Sequence, residues 1–150
     1  MQQWPRFPPG VGWGLRRKGE ELSPCVKKLL GPWFSEINLN RIVTHNYKPR
    51  YVRGDAEGYT EGRDIYFRDG IDQNSIKGIK LIAHELTHVR QEIRYPYTYP
   101  ERYAKAAAQE ILHGRDPAGY GNPFEKEAYD MGDAVEADLD RRFNGKNPCP

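Results

Sequence analysis

Apolar side chains at Val26, Leu29, Leu30, Trp33 and Phe34 recur at the spacing of one helix face. They follow Ser23 and Pro24, a hydroxyl cap and a proline suited to the first helical turn. The pattern predicts a short amphipathic helix over 24–34. The period then shortens. Residues 41–45 and 63–68 are β-rich runs, the second closed by Asp69 and Gly70, and 51–53 is a third candidate strand. Residues 58–62, bracketed by glycines, read as a turn. A long helix starts from a cap at Asn74 or Ser75, with Ile82, Leu86, Val89 and Ile93 on one stripe and Leu81, His84, His88 and Gln91 on its neighbour. The tyrosine- and proline-rich run 95–100 breaks it. Ala104, Ala106, Ala107 and Ala108 mark a helix over 101–112, and 113–121 is a loop. Asn122 and Pro123 repeat the cap-and-proline start for a last helix over 123–143, with Phe124, Ala128, Met131, Val135 and Leu139 apolar.

These elements predict one α+β domain over 22–150, preceded by an arm at 1–21 that packs through Trp4, Phe7 and Trp13. A chain of 150 residues is long enough to bury a core of its own. Mean hydropathy is −0.88, and twelve prolines and fifteen glycines favour long irregular stretches over dense helix. A net charge of +2 gives no reason to expect nucleic acid or a membrane surface as a partner. No run is long and apolar enough to span a bilayer, and the N-terminus lacks the apolar core of a signal peptide. The expectation is cytoplasmic synthesis, with export by a signal-free route left open. Cys25 and Cys149 allow either a disulfide or two free thiols.

The chemistry lies in His84-Glu85-Leu86-Thr87-His88. Imidazoles at i and i+4 share a helix face and can grip one cation, and Glu85 projects beside them as a candidate general base. An open zinc site needs a third protein ligand. The metzincin pattern would put Gly at 91 and His at 94, where this chain has Gln91 and Arg94. The other common solution is a glutamate on a later helix, and the last helix opens with Glu125 and Glu127. His113 is a further candidate. His45, in a predicted strand, reads as a core or surface residue.

The segments GRDIYFR at 62–68, LIAHELTHVRQ at 81–91 and NPFEKEA at 122–128 together resemble the DUF4157 domain. That is a zincin-like metallopeptidase domain associated with extracellular contractile injection systems. More loosely, the chain is similar to small gluzincins, over roughly residues 22–135. The resemblance implies a zincin-like fold: a small sheet packed on the active-site helix, with further C-terminal helices. It implies Zn2+ held by His84, His88 and Glu125, the glutamate three places before a small residue, here Ala128. Glu127 is the runner-up. Related sequences often carry Asp or Asn after the alanine, where this chain has Tyr129, which becomes the candidate oxyanion donor. The implied activity is zinc-dependent endopeptidase action on a peptide or protein, with Glu85 as base and the 63–68 strand beside the cleft. The alternative is a noncatalytic, zinc-stapled module that loads onto an injection-system particle.

Overall fold

The computed structural model describes residues 18–52 and 54–150. It is an α+β fold with a four-stranded mixed sheet. Strands β1 (Glu20–Glu21), β2 (Val43–His45), β3 (Gly58–Glu61) and β4 (Asp64–Phe67) lie in the order β1-β2-β4-β3. The β1–β2 and β3–β4 pairs are antiparallel and β2–β4 is parallel. The α-helices are α1 (Pro24–Leu30), α2 (Ile76–Arg94), α3 (Tyr99–Leu112) and α4 (Pro123–Phe143).

Side-chain caps set three helix starts. Ser23, Ser75 and Asn122 accept hydrogen bonds from the amides of Val26, Gly78 and Phe124 respectively, satisfying donors that a first helical turn leaves open. The first helix is shorter than its apolar pattern. Pro32 has no N–H to return to the chain, and Gly31–Trp33 tightens into a 3-10 turn. Helix α3 starts at Tyr99 rather than 101. Pro100 opens the helix there, because a proline in the first turn forfeits no hydrogen bond.

The run 58–62 is not a turn but strand β3 and the first residue of a two-residue hairpin loop. Gly62 adopts φ +63°, the conformation a tight hairpin reserves for glycine, and Glu61 pairs with Asp64. Residues 51 and 52 form no strand, and Arg53 lies outside the described residues. So do Trp4, Phe7 and Trp13. Glu20–Glu21, within the segment read as an arm, is an edge strand of the sheet.

The core packs Ile79, Ile82, Ala83, Leu86 and Val89 of α2 with Ile65 and Phe67 of β4, Val26 and Leu30 of α1, and Val135 and Leu139 of α4. Helix α2 thus lies in the middle of the molecule. Ile93 does not continue its buried stripe and is 51% exposed. The last turn buries Gln91 and Glu92 instead, because one is tied to α4 and the other receives the Gly62 amide from the β3–β4 hairpin. A disulfide joins Cys25 to Cys149 and fastens the C-terminal tail to α1.

Candidate metal centre and cleft

Being central, α2 can carry polar side chains into an otherwise closed interior. His84, Glu85 and His88 project from its middle turns, with candidate ligand atoms within 4.8 Å of one another, a group that could hold a metal ion. Helix α4 then delivers Glu125 from its first turn. Glu125 Oε1 lies 3.1 Å from His84 Nε2 and 3.0 Å from His88 Nε2. Ligands bonded at 2.0–2.1 Å around a tetrahedral ion stand about 3.3 Å apart, so Glu125 Oε1 already holds nearly that spacing from each of the two nitrogens. Glu127 points elsewhere: it accepts from Gln91 Nε2 at 2.7 Å and pairs with Arg94. His113 is exposed at the end of α3. His45 pairs with Asp64 at 2.9 Å and stacks on Tyr66.

The electrostatics follow from burial and proximity. Burial opposes charge on Glu125, but hydrogen bonds from both rings outweigh it and hold its carboxyl far below the usual range. Burial also opposes charge on His88, yet the Glu125 and Glu85 carboxylates prevail and raise the ring to about 9. Burial pushes the Glu85 carboxyl up, against the pull of His88 and His84. Glu85 Oε2 is buried with no hydrogen-bond partner among the described residues. A base kept in that state is short of a proton donor or a cation. The donor set, nitrogen and carboxylate oxygen, suits a divalent transition metal, and the site's residues fit such an ion.

A cavity of about 470 Å³ opens in front of this group. Gly58, Tyr59 and Thr60 of edge strand β3 form one wall, and Tyr99, Pro100 and Tyr103 of α3 another; Glu85, His88 and Glu125 lie at its base. At Gly58 a Cβ would stand 2.8 Å from Glu85 Cδ, so glycine is what lets the strand approach the carboxylate. The strand beside the cleft is therefore β3; β4, within the 63–68 run, is interior to the sheet. Tyr129 sets its ring edge against His84, centroids 4.6 Å apart, and its hydroxyl donates to the Ala118 carbonyl at 3.2 Å.

The sequence reading missed Tyr103. Its hydroxyl donates to Glu125 Oε2 at 2.5 Å, and burial raises its pKa further, keeping it a donor. The available signal was Tyr99 and Tyr103 at i and i+4 on one face of a helix start.

No curated protein and no solved structure matches the chain. A family model described as the eCIS core domain matches residues 35–95, the segment that contains β2 to β4 and the whole of α2 with His84, Glu85 and His88.

Proposed function

We propose that this chain is a zinc-dependent endopeptidase of zincin-like build. The observation that carries the reading is the convergence of Glu125 Oε1 on His84 Nε2 and His88 Nε2 beside Glu85, whose buried Oε2 has no partner among the described residues, at the base of an open cleft. A zinc ion bound there supplies Lewis acidity, which makes water acidic and polarises a carbonyl. Glu85 takes the proton from the attacking water and delivers it to the leaving amine; its raised pKa brings it nearer to working pH for both transfers. Edge strand β3 offers backbone groups to an extended peptide. Tyr103 is in the cleft lining and Tyr129 is not, which favours Tyr103 as the donor to the reacting carbonyl oxygen once its hydroxyl turns from Glu125.

The test is Glu85→Gln. It keeps the metal ligands and should retain zinc while abolishing cleavage of a peptide library. A variant that cleaves like its parent removes Glu85 from the mechanism.

A second reading is favoured by the family match, whose description supports association with a contractile injection system and whose span stops short of Glu125. In that reading the ion staples α2 to α4 and the module loads onto a particle. The parent would then cut no peptide, yet lose melting temperature when its metal is removed.

A further inference from the structure

Gln91 is fully buried one turn beyond His88. Its Nε2 lies 2.9 Å from the Phe124 carbonyl and 2.7 Å from Glu127 Oε1. Both partners only accept, so the amide nitrogen must face α4, and Oε1 must face the other way. That oxygen receives the Nδ1 proton of His88 at 2.9 Å and the hydroxyl of Tyr99 at 3.0 Å. Tyr99 Oη is also 3.2 Å from the same Nδ1. One side chain therefore spans three helices, with a partner at each of its polar atoms. With one proton fixed on Nδ1, the proton that His88 Nε2 gives to Glu125 is the one a cation would replace, which frees that lone pair for the metal. Phe124, whose carbonyl is anchored, directly precedes Glu125.

We propose that Gln91 is the positioning residue of the metal centre. Its oxygen sets the His88 ring for a cation, and its nitrogen docks the helix start that brings Glu125. The inference rests on the metal-centre reading above. Groups that hold a ligand imidazole in this way typically change metal affinity ten- to a hundredfold when removed.

The full chain, stripped of metal, is titrated with Co2+ and Zn2+ against a chromophoric chelator. Gln91→Met, similar in shape but without these hydrogen bonds, should bind about tenfold more weakly or worse and alter the cobalt absorption bands. Gln91→Glu keeps an acceptor for His88 but loses the donor to Phe124 and faces Glu127. It should lose more melting temperature than Gln91→Met and less metal affinity. A folded Gln91→Met with affinity within about twofold of the parent and unchanged cobalt bands overturns the proposal. So does affinity that merely tracks melting temperature across both variants, the mark of a structural role. Should Gln91→Met not fold, the zinc-loaded parent decides. The His88 Nδ1 proton should exchange with solvent far more slowly than its His84 counterpart, and equal rates overturn the proposal. A parent that binds neither ion sinks the proposed function together with this inference; a parent that binds, with indifferent variants, sinks the inference alone.

Discussion

Glu92 is the residue whose environment most directly sets a pH dependence of stability. Burial raises its carboxyl to about 7, against the opposing Gly62 amide, and among the described residues Oε1 has no hydrogen-bond partner. The unfolded chain ionises this group in the ordinary carboxyl range while the native state resists. Its contribution is therefore full below that range and is lost as pH rises through about 7. The decline amounts to roughly 3 kcal/mol, and Glu92→Gln should remove it, as denaturant melts at several pH values would show. His88 governs a different equilibrium. A ring held at about 9 keeps a proton that a cation must displace, so metal affinity should climb with pH through neutrality and flatten above about 9. Chelator competition across that range measures it, and a flat profile would count against His88 as a ligand. Gly58→Ala should push Glu85 aside. We expect cleavage to fall roughly tenfold or more with zinc affinity unchanged.

Among the elements, α4 matters most because its first turn carries Glu125, the proposed third ligand. Asn122 caps it and also donates to the Pro117 carbonyl at 2.9 Å. Asn122→Ala should cost about 1 kcal/mol of stability and weaken metal binding, since Glu125 sits in the turn that frays. Calorimetry and metal titration on the same samples test the pairing. Such caps were legible in the sequence because a polar residue followed by proline has few other uses, as at Ser23-Pro24 and Asn122-Pro123. The His84, Glu85 and His88 cluster was legible because helical spacing alone places those side chains together. Strand β3 was not. Gly58 at its start and Gly62 just past its end look like turn residues, and the need for the first is a contact with Glu85 that no local pattern encodes. Tyr103 escaped for a similar reason: its partner lies twenty-two residues away on another helix. The choice of Glu125 over Glu127 rested on resemblance, and here it is the Gln91 and Arg94 contacts that draw Glu127 away.

At the scale of the molecule, two devices hold distant parts together. A bound ion would join α2 to α4, so chelation should lower the melting temperature by an amount that grows with the zinc otherwise present. The disulfide closes 124 residues, a constraint worth about 5 kcal/mol in chain-entropy terms, and reduction should lower the melting temperature even without metal. Sequence separation alone could not say whether Cys25 and Cys149 meet; only the packing of the tail against α1 decides it. Among the described residues no helix is long and apolar enough to cross a membrane.

The same bond makes most of the chain a covalent ring. A single backbone cut between Cys25 and Cys149, whether by another molecule or by this one on itself, would release no fragment. The cut species would differ from the intact one by one added water and would separate into two pieces only under a thiol. Self-processing in this protein would thus pass unseen on a non-reducing gel.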